Sequence, residues 1–367
     1  MKYIGPKVYI DLDQLSKNYH LLAGDLNVPM MATVKANAYG HGAVEVSRTL
    51  EREGIRYLAV FTIEEGIELR KAGISTDIFI YSKLNHTAIS EAEKYNLTLN
   101  ISSFKDLEHL RNSNKSLLKV HLKIDTGMTR LGIPFDKAEN FLKEASKINN
   151  ITIEGIYSHF STADEGDLSY ATKQLKKFNS VIELSKKFDI NPSFFHCSNS
   201  GAILNLPDSR FNISRVGMLL YGGFPSDEVP QDLDIKPVMT FTAPVVEVRN
   251  VLADTPISYG GVYKTIKDTR IAVVQAGFAD GVPRPWFNDG YVKFKNKNFK
   301  ITGRICMDQL MIDIGSENIK CGDEILIFGS NFNGTISTNE IAQAIDSTSY
   351  VIVTGIGIRP KRIYKKF

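Results

Sequence analysis

A lysine that follows a strongly apolar run is the first residue of this sequence with the type and position to carry chemistry. Lys35 comes directly after MMATV and precedes the small-residue segment ANAYGHG. Burial disfavours the ammonium form, lowers the lysine pKa and makes the amine a nucleophile suited to Schiff-base chemistry. A lysine at a strand end is more often a solvated charge, so Lys35 taken alone leaves both interpretations open.

Four further polar side chains stand at or near the ends of later strand candidates. They are Arg130 in KIDTGMTRLG, His159 in IYSHFSTADE, Ser200 in HCSNSG and Arg215 in SRVG. Arginine is suited to binding anions, and histidine exchanges protons near neutral pH. Taken singly, the arginines could be surface ion-pair partners and His159 a hydrogen-bonded core residue. No Walker A, HExxH or GxSxG sequence occurs, so the chemistries of those motifs have no support.

These residues need a scaffold, and the first part of the chain predicts alternating strands and helices. Eight short apolar runs are strand candidates: 30–36, 57–62, 76–82, 97–102, 118–124, 151–159, 194–199 and 211–217. Amphipathic segments such as 64–73 and 174–188 lie between them. The pattern predicts a (β/α)8 TIM-like barrel, in which catalytic residues lie at the carboxyl ends of the strands. The alternative, an open doubly wound sheet, is disfavoured because no Gly-x-Gly-x-x-Gly follows an early strand.

After about residue 233 the pattern changes to successive strands separated by turn residues, which predicts a mainly β C-terminal domain. In this domain the pattern predicts a single strand over 299–315, and only 338–345 has a helical pattern. The segment 221–237, with three prolines and two adjacent glycines, marks the boundary. We expect a cofactor-binding barrel over 1–232, whose first ~10 residues pair with the second domain, and a β domain over 233–367.

Composition narrows the class of protein. The 367 residues include 44 Lys and Arg against 41 Asp and Glu, a net charge of +3, which argues against nucleic-acid binding through a broad basic surface. Apolar residues make up 43% of the chain, enough for a sizeable core, and no apolar run approaches the ~18 residues of a membrane span. The amino terminus lacks the apolar stretch of a secretion signal. Three cysteines without CxxC spacing argue against disulfides or a zinc site and favour the cytoplasm.

Several short motifs, taken in order, resemble one known family. At 34–42, VKANAYGHG is similar to the motif of the alanine racemase family whose lysine carries pyridoxal 5′-phosphate (PLP). Later segments resemble that family's blocks in the family's order: IDTGMTRLG, SHFSTADE, the NS of HCSNSG, RVGMLLYG, SYGGVY, GFADGVPR, GRICMDQ and RPKRIY. The resemblance implies a PLP enzyme that interconverts L- and D-alanine, supplies D-alanine for peptidoglycan and works as a homodimer with shared active sites.

The resemblance also implies a role for each matching residue. Lys35 would hold the cofactor and act as the base on one face of a small amino-acid substrate, and Tyr259 would be the base on the other face, supplied by the partner subunit. His159 would hydrogen-bond that tyrosine, and Arg215 would donate to the pyridine nitrogen. The other assignments are phosphate contacts by Tyr39, Ser200, Gly217, Met218 and Tyr350, substrate carboxylate contacts by Arg130 and Met307, and carbamylation of Lys123.

Racemisation fits a mechanism with two bases, because a proton leaves one face of the α-carbon and a proton is added to the opposite face. Arginine does not readily surrender its proton, so Arg215 would leave the pyridine nitrogen unprotonated and the ring a weaker electron sink. Phe278 stands where the family usually has tyrosine, which leaves open a racemase that prefers serine or another amino acid. The further alternatives are an amino-acid decarboxylase, disfavoured by Arg215 and Tyr259, and a non-catalytic cofactor-binding protein, disfavoured by the second domain.

Overall fold

The first part of the chain alternates strands with helices. The computed structural model describes residues 5–113 and 117–365, so the predicted domain limits at residues 1 and 367 lie outside the described residues. The strands are β1 (Lys7–Asp11), β2 (Met30–Thr33), β3 (Tyr57–Val60), β4 (Asp77–Ile80), β5 (Thr98–Ile101), β6 (Leu118–Asp125), β7 (Ile133–Pro134), β8 (Ile151–Tyr157), β9 (Phe194–His196) and β10 (Ser214–Val216). The helices are α1 (Leu12–Leu26), α2 (Lys35–Tyr39), α3 (Ala43–Arg52), α4 (Ile63–Lys71), α5 (His86–Tyr95), α6 (Phe104–Arg111), α7 (Ala138–Ala145), α8 (Ser169–Lys186) and α9 (Ser200–Asn205).

Eight of these strands form a nearly closed parallel barrel in the order β10-β2-β3-β4-β5-β6-β8-β9. Each of the eight predicted strand segments overlaps one of them, with β6 extending one residue beyond its segment, and the predicted (β/α)8 fold is confirmed. β2, β3 and β5 are buried at every residue, because helices cover the outside of the barrel and side chains fill its interior. Tyr57, Phe79, Tyr157 and Phe194 belong to one buried cluster with Met31. No described helix has the length and apolar character needed to cross a bilayer.

The rest of the chain is mainly β, as predicted. Its strands are β11 (Met239–Val251), β12 (Pro256–Ile257), β13 (Tyr263–Lys264), β14 (Thr269–Val274), β15 (Tyr291–Phe294), β16 (Lys297–Lys300), β17 (Leu310–Asp313), β18 (Glu324–Asn331), β19 (Gly334–Ile336) and β20 (Lys361–Lys365), with helices α10 (Thr338–Ala344) and α11 (Ser349–Thr354). The main sheet runs β16-β15-β18-β11-β1-β20, and β14 pairs with β11 and β17. β1 lies antiparallel to β11 and parallel to β20, so the amino-terminal strand is part of this sheet.

Two details predicted for the second part are wrong. The segment 338–345 is not the only helical one, because SYVIVT forms α11; Ile352 and Val353 are buried there, and packing outweighs the low helix propensity of β-branched residues. The predicted single strand over 299–315 is interrupted. β16 ends at Lys300, and residues 302–309 lie outside the strands before β17 begins, with Gly303 at a φ of +76° that a regular strand does not contain.

Candidate active site

A cavity of about 690 Å³ lies at the carboxyl ends of the barrel strands. Most of the predicted site residues line it: Lys35, Tyr39, Lys123, Arg130, His159, Ser200, Arg215, Gly217 and Tyr350. The other lining residues are Thr33, Phe61, Tyr81, Lys83, Leu131, Tyr157, Asn199 and Thr354. None of these described lining residues is acidic, so the cavity offers cations, hydroxyls and backbone amides to an anionic ligand.

Lys35 is the first residue of α2, close behind β2, so the strand delivers its side chain to the cavity. Burial is the main cause that lowers the pKa of the Lys35 amine, and the charge of Arg130 lowers it further. The Nζ atom lies 6.0 Å from the centroid of the Tyr81 ring. A lysine whose pKa is lowered has a larger neutral fraction, which is the nucleophilic form.

A left-handed turn follows Lys35 and includes Tyr39. The four consecutive residues 36–39 have φ values between 51° and 54°, a conformation that costs roughly 1–2 kcal/mol per non-glycine residue. Such strain persists only where the surroundings over-determine the backbone, and it is concentrated at functional sites. The guanidinium of Arg362, in β20, donates to the carbonyl of Gly40 (2.8 Å), so the second domain helps to hold this turn.

Two polar side chains hold the same turn from the barrel side. The carboxylate of Glu65 accepts a hydrogen bond from the backbone N–H of Ala36 (2.6 Å). The Nδ1 atom of His41 lies 3.0 Å from the carbonyl oxygen of Ala38 and 2.9 Å from that of Tyr39. Because a carbonyl only accepts, the proton of this imidazole is on Nδ1. Burial lowers the pKa of His41 to about 4, so the ring is neutral at pH 7.

A cradle of hydroxyls and backbone amides forms another part of the cavity. The N–H of Gly217 lies 3.3 Å from Ser200 Oγ, to which it donates. A Cβ on Gly217 would lie 2.8 Å from the hydroxyl oxygen of Tyr39, so the close approach of this phenol requires glycine. The Tyr39 and Tyr350 rings are 5.9 Å apart, and Met218 begins the next 3-10 turn. Hydroxyls and successive backbone amides are typical donors to a phosphate group.

The guanidinium of Arg215 is buried beneath the cavity and donates to backbone carbonyls. Its acceptors are the carbonyl oxygens of Ser158 (2.8 Å), Cys197 (3.0 Å) and His196 (3.1 Å). Among the described residues, Arg215 forms no ion pair with a carboxylate. Carbonyls orient the guanidinium without neutralising it, so its positive charge acts on every group nearby.

Two histidines flank this guanidinium and a third continues the chain of hydrogen bonds. Arg215 donates to the Nδ1 atoms of His159 (3.0 Å) and His196 (2.8 Å). A guanidinium has no acceptor, so both rings carry their proton on Nε2. Burial and the Arg215 charge hold the pKa of both imidazoles well below the usual value, so both are neutral. His196 then donates to His121 Nδ1 (2.9 Å), and His159 keeps its Nε2–H to offer at the cavity.

Lys123 is a second lysine with perturbed chemistry. It is buried in β6, and its Nζ lies 5.2 Å from the centroid of the Tyr157 ring. Burial, together with the charges of Arg215 and Arg130, lowers the pKa of the Lys123 amine to about 7. A large fraction of this amine is therefore neutral at physiological pH, which makes it reactive toward carbon dioxide.

Three predicted site residues do not line the cavity of the single chain. Met218 is buried directly after Gly217, whereas Tyr259 and Met307 lie at the surface of the β domain. Tyr259 follows β12 and is 67% exposed, and Met307, in the loop before β17, is 55% exposed. The turn of Tyr259 is held by Ser258, which has a φ of +63° and donates from its hydroxyl to the carbonyl of Arg304 (2.6 Å). Next to Met307, Phe278 is 41% exposed. The segment of Tyr259 and the segment of Met307 and Phe278 thus place large side chains on the surface of the β domain.

Sequence reasoning missed several residues that belong to the site. Tyr81 lines the cavity beside Lys35, and His196 and His121 extend the hydrogen bonds of Arg215. Glu65 and His41 hold the left-handed turn. Tyr81 directly follows β4, so the rule that selected the other strand-end residues could have found it. Nothing in the sequence signals the neighbourhood of His121 and His196, which are 75 residues apart.

Two family models match the chain in succession. "Alanine racemase, N-terminal domain" matches residues 10–225, and "Alanine racemase, C-terminal domain" matches residues 238–364. Curated relatives agree. Alanine racemase from Carboxydothermus hydrogenoformans is 41% identical over 91% of this chain and 92% of that protein, and alanine racemase 2 from Caldanaerobacter subterraneus subsp. tengcongensis is 38% identical over 98% and 94%.

Solved structures show the same likeness over the full length of the chain. Alanine racemase from D-cycloserine-producing Streptomyces lavendulae has a TM-score of 0.95 with 33% identity, and the match covers 100% of this chain and 98% of that one. Alanine racemase from Bacillus anthracis with bound L-Ala-P has a TM-score of 0.93 with 31% identity and covers 100% and 96%.

Proposed function

The chain belongs to the alanine racemase family, and on that basis we propose that it is a PLP-dependent racemase that interconverts L-alanine and D-alanine with two bases. The observation that carries the proposal is one cavity lined by the lowered-pKa amine of Lys35, the buried guanidinium of Arg215 and the cradle around Gly217. An amine for the aldehyde carbon, an anion cradle for the phosphate and a hydrogen-bond donor for the pyridine nitrogen match the groups of a phosphorylated pyridine aldehyde.

The residues present fit PLP. Lys35 would hold the aldehyde carbon, while the phosphate would contact the hydroxyls of Tyr39, Ser200 and Tyr350 and the backbone amides of Gly217 and Met218. A Cβ at Gly217 would occupy the space beside the Tyr39 hydroxyl. Glycine at this position therefore leaves room for the phosphate, which supports the proposed cradle. When bound, PLP withdraws electrons from the α-carbon of an attached amino acid and so acidifies its α-proton.

Two groups on opposite faces then move the proton. The Lys35 amine takes the α-proton from one face or returns it there, and burial, which lowers the pKa of that amine, increases its neutral fraction. The Tyr259 hydroxyl serves the other face. Tyr259 lies outside the cavity of its own chain and is largely exposed, which supports its reaching the active site of a partner subunit in a homodimer.

Arg215 and His159 would assist this exchange in different ways. Arg215 donates only, so it would hydrogen-bond the pyridine nitrogen without protonating it, which weakens the electron sink and disfavours side reactions. His159 accepts from Arg215 at Nδ1 and so has its N–H on Nε2, free to donate to the phenol oxygen of Tyr259. A donor to that oxygen favours the phenolate, the form that accepts a proton.

The substrate carboxylate would be held by the guanidinium of Arg130 and the backbone amide of Met307. We propose that Lys123, whose pKa is about 7, takes up carbon dioxide as a neutral amine and releases a proton to form a carbamate. That anion would offset the positive charge of Arg130. We further propose a cytoplasmic enzyme that supplies D-alanine for peptidoglycan, consistent with three cysteines that lack CxxC spacing.

Complementation between two inactive chains tests the shared active site. Lys35→Ala and Tyr259→Phe homodimers should each lose two or more orders of magnitude in turnover. Co-expressed in equal amounts with different tags, the two chains should regain about a quarter of the unmodified activity, because half of the dimers are hybrids and each hybrid has one complete site. A mixture as inactive as its components would contradict the two-chain site.

The substrate is tested on a panel of L-amino acids with the unmodified enzyme. Alanine should be racemised fastest. A faster reaction with serine would assign the enzyme to the alternative that Phe278 leaves open. Formation of the visible absorption band of bound PLP is measured alongside, and a Lys35→Ala protein that still binds PLP covalently would refute the assignment of the lysine.

A further inference from the structure

The loop that contains Met307 is closed by its own backbone and joined to a second loop. The N–H of Cys306 donates to the carbonyl of Gln309 (2.9 Å), which closes the turn between them. The N–H of Phe278 donates to the carbonyl of Cys306 (3.1 Å), and the N–H of Ala279 donates to that of Met307 (3.0 Å). The exposed side chains of Met307 and Phe278 are therefore placed by two loops whose backbones are hydrogen-bonded to each other.

The guanidinium of Arg359 bridges one carboxylate on each of these two loops. Its Nε and Nη2 atoms both lie 2.9 Å from Asp280 Oδ1, and its Nη1 donates to Asp308 Oδ1 (2.7 Å). Asp280 stands two residues after Phe278, and Asp308 directly follows Met307. Because the donors of a guanidinium form a planar fork of fixed geometry, one side chain sets the spacing of the two loops.

The two ends of this bridge differ in their surroundings. Asp280 is 2% exposed, and its Oδ2 accepts a hydrogen bond from the N–H of Gly277 (2.9 Å), so this carboxylate is a fixed anchor. The side chain of Asp308 is 59% exposed and that of Arg359 is 46% exposed. Ion pairs this exposed contribute little to the stability of a fold. A guanidinium shared by two carboxylates is therefore better explained by the placement of the loop that contains Asp308.

The backbone that carries Arg359 is itself fixed. The guanidinium of Arg362 donates to the carbonyls of Gly357 (3.1 Å) and Gly40 (2.8 Å). Gly40 follows the left-handed turn after Lys35, so the segment that carries Arg359 is tied to the active-site turn of its own chain. Arg359 thus reaches the two loops from a defined starting point.

The backbone N–H of Met307 is left without an acceptor among the residues that the structure describes, whereas its carbonyl accepts from Ala279. We propose, on the basis of the proposed function, that Arg359 is a positioning residue for the substrate. By joining Asp280 to Asp308 it holds the Met307 N–H where this group meets the substrate carboxylate in the active site of the partner subunit. The same bridge places the side chain of Phe278 beside it.

The test is Arg359→Met, which removes the guanidinium and keeps an unbranched side chain. The KM and kcat for alanine are measured with PLP-saturated enzyme, and the affinity for PLP is measured by titration of the apo protein. We expect the KM to rise about tenfold, the factor that corresponds to one weakened hydrogen bond to a carboxylate. The kcat and the PLP affinity should change little, because the bridge acts on substrate binding.

A second readout does not depend on turnover. Acetate is an unreactive carboxylate, and its dissociation constant can be measured from the change that it causes in the absorption of bound PLP. Arg359→Met should weaken acetate binding by about the same factor as it raises the KM, because the carboxylate contact is the one affected. Unchanged acetate binding would contradict the inference.

Asp308→Ala breaks the same bridge at its exposed end and leaves Asp280 paired with Arg359, so no buried carboxylate loses its partner. It should reproduce the rise in KM and the weaker acetate binding, and it serves as the test if Arg359→Met fails to fold. Adding Arg359→Met to Asp308→Ala should change the KM little further, because both substitutions remove one bridge.

Arg56→Met is the matched control. The Arg56 side chain is 48% exposed, and its Nη1 lies 2.9 Å from Asp77 Oδ2. Arg56 directly precedes β3, so it lies at the amino end of the barrel strands, away from the cavity. Arg56→Met should therefore leave the KM and acetate binding unchanged.

The inference is overturned if Arg359→Met and Asp308→Ala keep the KM of the unmodified chain, or if Arg56→Met raises the KM as much as they do. A fall in kcat or in PLP affinity without a rise in KM would also contradict it. An unmodified chain that binds PLP but does not racemise alanine would instead refute the proposed function.

Discussion

Replacing Gly217 by alanine perturbs the proposed phosphate cradle with one methyl group. The new Cβ would lie 2.8 Å from the Tyr39 hydroxyl oxygen and 3.4 Å from its Cζ atom, and the next atom, Thr33 Cβ, is at 3.9 Å. Ordinary contacts of a Cβ begin near 3.4 Å, so the phenol must move by about 0.6 Å while the rest of the pocket tolerates the methyl group. The Tyr39 ring is buried between Tyr221 and Tyr350, which resists that movement.

The cost follows from overpacking in a tightly packed site. Added methyl groups in such places destabilise by about 1–3 kcal/mol. Movement of the Tyr39 hydroxyl would also weaken a hydrogen bond to the phosphate, and one such bond to an anion corresponds to roughly tenfold in the PLP dissociation constant. We therefore expect Gly217→Ala to lower both the stability of the apo protein and its affinity for PLP.

Four variants measured by urea unfolding and PLP titration test this reasoning: Gly217→Ala, Gly24→Ala, Tyr39→Phe and the Tyr39→Phe/Gly217→Ala double variant. Gly24→Ala is the control, because Gly24 lies exposed in α1 and a Cβ added there would meet no atom within 4 Å, so the change should stabilise the chain by ~0.5–1 kcal/mol. In a Tyr39→Phe background the clashing oxygen is gone, so Gly217→Ala should cost clearly less stability than in the unmodified chain. Equal costs in the two backgrounds would refute the steric argument, and unchanged PLP affinity in Gly217→Ala would refute the cradle.

Three other outcomes follow from the same structure. A Cβ at Gly277 would lie 2.2 Å from the carbonyl oxygen of Met307, so Gly277→Ala should raise the KM for alanine and leave PLP affinity nearly unchanged; steady-state kinetics with PLP titration show whether both hold. Lys123 has a pKa of about 7 in the folded chain and ~10.4 in the unfolded chain. Between those pH values the unfolded chain binds one more proton than the folded chain, so the free energy of unfolding of the bicarbonate-free apo protein should rise with pH. Lys123→Met should flatten this rise when it is measured by urea unfolding. His121, whose pKa burial lowers to about 3, should act in the same direction at lower pH. The unfolded chain takes up its proton near pH ~6.5, so stability falls as pH drops from there toward 3, and His121→Gln should reduce that fall in acid titrations.

The sequence by itself determined the barrel and most of the lining of the site. Continuously apolar, β-branched runs indicate strands that are covered on both faces, and this signal is local, so all eight barrel strands could be predicted. Parallel strands in a barrel end at one rim, so Lys35, Arg130, His159, Ser200 and Arg215 could be assigned to a common site before any contact was known.

Tertiary structure decided what depends on neighbours distant in the chain. The turn over 36–39 is left-handed because Glu65, His41 and Arg362 hold it, and local propensity alone opposes that backbone. α11 forms because Ile352 and Val353 are buried against the rest of the molecule, although its β-branched sequence has little helix propensity.

The protonation states of the site were also decided only by the fold. Each histidine near Arg215 is neutral, with its proton on one nitrogen, because a donor-only guanidinium lies against it in a buried environment. The sequence shows that Lys35 and Lys123 carry amines. Burial and the neighbouring arginines, which depend on the fold, lower the pKa values of these amines. A sequence specifies which groups are present, whereas solvent exclusion and charge at short range, which set their chemistry, exist only after the chain has folded.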